Sequence, residues 1–139
     1  MSSKPLFIDT AYIYALINPN DQWHSAALQW QNKLSPQRPR LVTSEFVLTE
    51  IANGLSSANF REAASYAIRL LQDNVDVDVV PASSKLFSEG LKLYESRKDK
   101  AWGLTDCTSF VIMQDRGLTD ALTTDDHFRQ AGLNALLLE

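Results

Sequence analysis

The chain has 139 residues, of which 45% are hydrophobic and 22% are charged, and its formal net charge is −4. These values are typical of one globular domain and exclude a disordered or fibrous chain. The negative charge argues against binding nucleic acid by phosphate neutralisation alone, and the single cysteine, Cys107, excludes an internal disulfide and a cysteine-based structural zinc site within one chain.

Short apolar runs alternate with longer amphipathic segments along the first half of the chain. We predict a short buried strand at 4–9, a short strand at 41–44, and an exposed or edge strand at 75–80. Ser44 is a suitable N-cap for the helix that follows the second strand. Helices are predicted in the intervening segments, at 10–17, 21–34, 45–55 and 60–74.

The second half of the chain continues this alternation. The predicted elements are a helix at 83–99, a helix from near Thr105 to Gly117, a strand and its end at 120–126, a short helix at 127–132 with Gly132 as its C-cap, and a final strand at 133–138. Alternating strands and helices predict an α/β fold, in which one domain, residues 1–139, has a central parallel sheet with helices on both faces.

Two of the predicted strands lead into an aspartate. Asp9 follows the apolar run of the first strand, and Asp125 comes one or two residues after the strand in DALTT. In open parallel sheets, binding and catalytic sites lie beyond the carboxyl ends of the strands, near the topological switch point. The two carboxylates therefore converge if their strands are neighbours in the sheet.

Two further acids lie on the apolar faces of predicted helices. Glu50 shares a stripe with Phe46 and Ile51, and Asp106 shares one with Phe110. Asp106 taken alone suits a helix cap equally well. Four inward carboxylates would repel one another and need a compensating charge, which a divalent cation supplies. Oxygen ligands suit magnesium or manganese, and such an ion also bridges an acidic protein to phosphate.

Four segments carry a resemblance to a known family: FIDTAYIYALINPNDQWH, TSEFVLTEIANGL, GLTDCTSFVIMQDRG and ALTTDDHFRQAG. In their order and separations, from Phe7 to the end of the chain, they resemble the PIN-domain ribonucleases, in particular the VapC-like toxins of bacterial toxin–antitoxin pairs. The resemblance implies that the catalytic, metal-binding acids are Asp9, Glu50, Asp106 and Asp125. It also implies polar support from Thr10 and Thr123.

Two of these assignments have competitors close by. Glu45 competes with Glu50, and Asp126 competes with Asp125. The apolar stripe selects Glu50, and the spacing Thr, any residue, Asp, any residue, His, Phe selects Asp125.

The remaining candidate nucleophiles and bases have simpler interpretations. Cys107 follows a carboxylate rather than a basic group, so we expect a buried small residue and not a reactive thiol. His24 and His127 are expected to pack or to form hydrogen bonds rather than to catalyse.

The resemblance implies metal-assisted hydrolysis of RNA phosphodiester bonds with no side-chain nucleophile. It further implies a homodimer and a separate antitoxin, which would place an apolar helix and a basic side chain in the acid-lined groove. Two alternatives stay open: an RNA-processing PIN nuclease without an antitoxin, and a catalytically silent PIN scaffold that binds RNA or protein. The intact acid set argues against the silent scaffold.

The segment SRKDKAW immediately precedes Asp106 and contains candidate RNA contacts at Arg97, Lys98, Lys100 and Trp102. Its charges would attract phosphate, and the indole would stack on a base. The alternative is a solvated helix end. Because no apolar run reaches about 18 residues and the N-terminus lacks signal-peptide features, we expect a cytoplasmic protein that does not enter a membrane.

Overall fold

The computed structural model describes residues 4–139, which form five strands and seven helices. The strands are β1 (Leu6–Ile8), β2 (Leu41–Ser44), β3 (Val77–Val80), β4 (Asp120–Leu122) and β5 (Asn134–Ala135). The helices are α1 (Thr10–Ile17), α2 (His24–Leu34), α3 (Glu45–Gly54), α4 (Arg61–Asp73), α5 (Ser84–Ser96), α6 (Leu104–Arg116) and α7 (Asp126–Gln130). A 3-10 turn, Leu136–Leu138, follows β5.

The sheet has the order β3-β2-β1-β4-β5, and every pair of neighbours is parallel. From β1 the chain moves outward through β2 to β3, and it then returns to the other side of β1 as β4. The topological switch point therefore lies between β1 and β4. Because Ile8 is paired with Leu122, the residues that follow these two strands lie side by side. The predicted parallel α/β sheet with helices on both faces is confirmed, and β3 is an edge strand as expected.

The aromatic residues below the switch point are almost fully buried. Phe7 of β1 and Phe128 of α7 are completely buried, and their rings lie 6.4 Å apart. Phe110 of α6 meets Phe128 edge-on at 4.9 Å. Edge-to-face aromatic contacts of this kind stabilise a fixed arrangement of the rings. The aromatic residues thus tie β1, α6 and α7 together directly below the strand ends.

Helix boundaries follow local chemistry. The Ser44 side chain accepts a hydrogen bond from the Val47 backbone N–H at 3.1 Å, which confirms it as the N-cap of α3. Gly117 has a φ of 66°, a left-handed conformation that favours glycine, and it ends α6 where the sequence predicted.

The largest errors in the predicted bounds lie at the C-terminal ends of two elements. The final strand at 133–138 is reduced to Asn134–Ala135, which pair with Asp120 and Ala121 of β4. The leucines that follow are in the 3-10 turn instead. The helix predicted at 83–99 ends at Ser96, since the next residues form a turn in which Lys100 N donates to Arg97 O at 3.1 Å.

Among residues 4–139, no helix has both the length and the apolar character that crossing a bilayer requires.

Candidate metal centre

The four predicted acids come from four different elements. Asp9 is the N-cap of α1 directly after β1, and Asp125 is the N-cap of α7 after β4. Glu50 lies on α3, and Asp106 lies in the first turn of α6. The negative charges of Asp106 and Asp125 act on both Asp9 and Glu50. The fold therefore brings all four carboxylates into one electrostatic cluster at the switch point.

Asp9 is the most deeply buried member, with 3% of its surface exposed. Thr123 Oγ1 donates to Asp9 Oδ2 at 2.7 Å, whereas Asp9 Oδ1 is buried with no hydrogen-bond partner in the described chain. Burial raises the pKa of Asp9 to about 7, the Thr123 hydrogen bond opposes this rise, and the charges of Asp106 and Asp125 add to it. A buried carboxylate oxygen without a donor is costly unless a cation satisfies it.

Glu50 is half-buried and is held by the predicted support residue Thr10. Thr10 Oγ1 donates to Glu50 Oε1 at 2.5 Å. Burial raises the pKa of the Glu50 carboxyl group, the Thr10 hydrogen bond lowers it, and the charges of Asp106 and Asp125 raise it further. Both predicted threonines thus hydrogen-bond one of the acids, and Thr123 additionally accepts from the Asp125 backbone N–H at 3.0 Å.

Asp106 and Asp125 meet at His127. The Nδ1 atom of His127 lies 3.1 Å from Asp106 Oδ2 and 3.3 Å from Asp125 Oδ1. Burial raises the pKa of Asp106, and the charge of Asp125 raises it further. These three residues each offer a ligand atom, and the three atoms lie within 4.8 Å of one another. Asp106 Oδ2 also accepts from Gly103 N at 3.2 Å, so the helix-cap interpretation holds together with the cluster.

The residues fit a hard divalent cation. Asp9 Oδ1 is an unsatisfied buried oxygen, and the surrounding groups are carboxylates whose mutual repulsion a cation would remove. Magnesium and manganese prefer such oxygen donors. The fold therefore provides an acidic cluster that is suited to hold a metal.

The two competitors have other partners. Glu45 is exposed, and its Oε1 accepts from the Ala82 backbone N–H at 2.7 Å, which ties α3 to the segment after β3. Asp126 is exposed and lies 3.6 Å from Arg129 Nη1. The geometry favours Glu50 and Asp125, the residues selected from the sequence.

A family model of the PIN domain matches residues 6–133, which is most of the chain. The chain belongs to the PIN domain family. The predicted resemblance to this family is confirmed.

This PIN domain is similar to the 23S rRNA-specific endonuclease VapC20 of Mycobacterium tuberculosis. The two are 28% identical over 128 residues, which cover 91% of this chain and 94% of VapC20. The crystal structure of VapC20, described as a sarcin–ricin loop cleaving toxin, matches with a TM-score of 0.79 and 26% identity, over 92% of this chain and 95% of VapC20.

More distant solved structures share the fold. One is VapBC2 of Rickettsia felis bound to a DNA fragment from its promoter, with a TM-score of 0.67, 16% identity and coverage of 95% of this chain and 97% of the other. Another is FitAcB of Neisseria gonorrhoeae, with a TM-score of 0.64, 14% identity and coverage of 94% and 95%. At these identities the likeness concerns the fold alone.

One predicted RNA contact of the PIN domain is wrong. Trp102 is only 6% exposed, its Nε1 donates to Gln130 Oε1 at 3.0 Å, and its ring meets Phe110 edge-on at 5.0 Å. The Arg97 guanidinium lies 5.0 Å from the ring centroid on the outer side. No face of the indole is free for a base, because the aromatic core and Arg97 already cover it.

The other reactive side chains of the PIN domain behave as expected, with one addition. Cys107 is completely buried, and burial followed by the charge of Asp106 raises the pKa of its thiol. His24 Nδ1 lies 2.6 Å from Ala15 O. His127 forms hydrogen bonds as predicted, but its position within the acid cluster was missed. In the sequence, the only indication of this position was that His127 comes two residues after Asp125, the acid at the end of a strand.

Proposed function

We propose that this PIN domain is a metal-dependent endoribonuclease that hydrolyses RNA phosphodiester bonds and serves as the toxin of a toxin–antitoxin pair. The observation that carries the proposal is the buried, unpartnered Oδ1 of Asp9, which lies among three further carboxylates at the switch point of a PIN fold. The name and structural description of VapC20 support RNA as the substrate.

Magnesium or manganese is the proposed cofactor, held by Asp9, Glu50, Asp106 and Asp125. When bound, the ion activates water and stabilises the charge that develops on the phosphate. Thr123 and Thr10 orient the carboxylates of Asp9 and Glu50 by hydrogen bonds. Such outer contacts fix the orientation of metal-binding groups.

Cys107, the candidate nucleophile next to Asp106, does not support a competing covalent mechanism. The Cys107 thiol is buried and its pKa is raised, so it is neither accessible nor ionised. We therefore propose water as the nucleophile, with the carboxylates as the groups that would hold the metal.

The proposed partners are an antitoxin and a second copy of the chain, in the cytoplasm. The VapBC2 complex supports an antitoxin partner by fold. An apolar groove of about 570 Å³ runs between α1, α2 and α4, and Leu16, Leu34 and Leu70 contribute to its lining. It extends to Ile8 and Leu122, the residues before Asp9 and Thr123. We propose that the apolar helix of an antitoxin docks in this groove.

The proposed activity is tested by incubating purified protein with total RNA in magnesium, in manganese and in EDTA. We expect cleavage with either ion, none in EDTA, and none by Asp106→Asn. Cleavage that persists in EDTA would exclude the metal-dependent mechanism, whereas absence of cleavage under all conditions would favour the silent scaffold. Co-expression with the protein from an adjacent reading frame distinguishes the toxin, whose growth inhibition would be relieved, from a processing nuclease.

Lys98 and Lys100 remain candidate contacts to the RNA backbone, since both follow α5 and precede Asp106. Lys98 is exposed, and Lys100 Nζ lies 3.9 Å from Asp99 Oδ2. We expect the double variant Lys98→Ala/Lys100→Ala to raise KM for RNA with little change in kcat. The slope of log affinity against log salt concentration should also be smaller in magnitude for this variant than for the wild type, by roughly 1 to 2.

The matched control for this double variant is Lys33→Ala/Arg69→Ala. It removes the same charge from α2 and α4, which contribute none of the four acids. Equal effects of the two double variants would mean that only net charge, and not the segment after α5, contributes to RNA binding.

A further inference from the structure

Glu50 is contacted by α1 at both its side chain and its backbone. Thr10 Oγ1 donates to the Glu50 carboxylate at 2.5 Å, and one turn later Tyr14 Oη donates to the Glu50 carbonyl oxygen at 2.8 Å. Asp9 is the N-cap of the same helix. These two contacts therefore set the position of Glu50 relative to Asp9, both through the carboxylate and through the peptide that carries it.

Tyr14 reaches this carbonyl only because residue 54 has no side chain. A Cβ atom at Gly54 would lie 1.8 Å from Tyr14 Oη and 2.3 Å from Tyr14 Cζ. The φ angle of Gly54 is not in the left-handed region, so its backbone conformation does not require glycine. The close approach of the Tyr14 ring to α3 is the structural reason for this glycine.

Glu50 needs such restraint because its neighbours repel it. The negative charges of Asp106 and Asp125 both destabilise the ionised carboxylate of Glu50. Glu50 is only half-buried, so its flexible side chain has a route toward solvent. A donor that fixes the Glu50 peptide limits the positions from which the carboxylate can turn away, and small displacements of such groups are costly in catalysis.

We propose that Tyr14 is a positioning residue that holds Glu50 among the metal-binding acids, with Gly54 supplying the space for its ring. This inference rests on the proposed metal-dependent function. Tyr14 acts through Glu50 and touches no reacting group itself.

Tyr14→Phe tests the proposal, since it removes only the hydroxyl. We expect the Kd for Mn²⁺, measured by calorimetry without RNA, to rise about tenfold or more. We expect kcat to fall by a similar factor while KM for RNA stays within about twofold. Tyr66→Phe is the matched control, because it removes a hydroxyl from a side chain that is 66% exposed on α4. Its Kd and kcat should equal those of the wild type.

A second set of variants tests the role of Gly54. Gly54→Ala should weaken Mn²⁺ binding strongly when Tyr14 is present and much less in a Tyr14→Ala background, since residues in contact are energetically coupled. Asn53→Ala, on the exposed side of α3, controls for helix propensity. Equal effects of Gly54→Ala in both backgrounds would contradict the proposed role of Gly54.

Stability and positioning are separated by titrating each variant well below its Tm. A Tyr14→Phe protein with a lower Tm but wild-type Mn²⁺ affinity and kcat would overturn the inference and leave the nuclease proposal standing. A wild-type protein that binds no Mn²⁺ would overturn both.

Discussion

Replacing Asp9 with asparagine is expected to lower RNA cleavage on the order of 10³-fold or more, because a metal ligand contributes several kcal/mol to the transition state. The same change should stabilise the metal-free protein. Asparagine still offers an oxygen to Thr123, but it carries no charge that burial and the neighbouring acids penalise. An increase of about 2 kcal/mol in the free energy of unfolding would raise Tm by roughly 5 °C.

Cleavage rates with Mn²⁺ and Tm values without metal, measured on the same preparations, check this prediction. Asp126→Asn is the control, since it changes an exposed acid adjacent to Asp125 and should leave both values near those of the wild type. A large drop in Tm for Asp9→Asn would contradict the expected stabilisation and would indicate that the Asp9 carboxyl group has a structural role in the metal-free protein.

The acids were predictable because their positions depend on local patterns. Asp9 and Asp125 follow short apolar runs that form neighbouring strands, and the switch point between β1 and β4 then brings the strand ends together. Glu50 and Asp106 could be selected because they interrupt apolar helical stripes, and a carboxylate that faces the interior needs a partner. The strand and helix order followed from the same periodicities.

Features that depend on contacts between distant segments were not predictable. Trp102 looked available beside three cations, but its indole is buried by Phe110 and bonded to Gln130, 28 residues away. Gly54 is a second example. Although it is the last residue of α3, a contact with Tyr14, 40 residues earlier, explains why it is glycine. Single-sequence periodicity contains no information about such pairs.

The stability of the metal-free protein is expected to fall as the pH rises from about 4 to 7. The ordinary pKa of an aspartate, which applies to the unfolded chain, is 3.8, and the pKa of Asp9 in the folded protein is about 7. Between these two values the folded state therefore binds more protons than the unfolded state. Stability therefore decreases with pH through this window, by up to about 4 kcal/mol for Asp9 alone. Burial also raises the pKa of Glu50 and of Asp106, so the titration of these two groups changes the stability in the same direction.

Chemical denaturation of the wild type and of Asp9→Asn at each pH isolates the contribution of Asp9. The stability difference between the two proteins should shift in favour of the variant between pH 4 and 7 and stay level above it. A difference that stays constant over this range would contradict the raised pKa. Acids outside the cluster cancel in this comparison, whereas the coupling of Asp9 to Asp106 and Asp125 is part of the measured difference.

Metal binding should reverse this pH effect, since a bound cation requires ionised Asp9. With its pKa raised to about 7, the Asp9 carboxyl should contribute close to one proton to those released by Mn²⁺ binding at pH 6 and almost none at pH 8. The apparent Mn²⁺ affinity should accordingly rise about tenfold per pH unit up to pH 7 and then level off. Calorimetry in buffers of different ionisation enthalpy measures the protons released. Asp126→Asn should release the same number as the wild type, and an unchanged affinity between pH 5 and 7 would contradict the binding of the cation by an Asp9 carboxyl group of raised pKa.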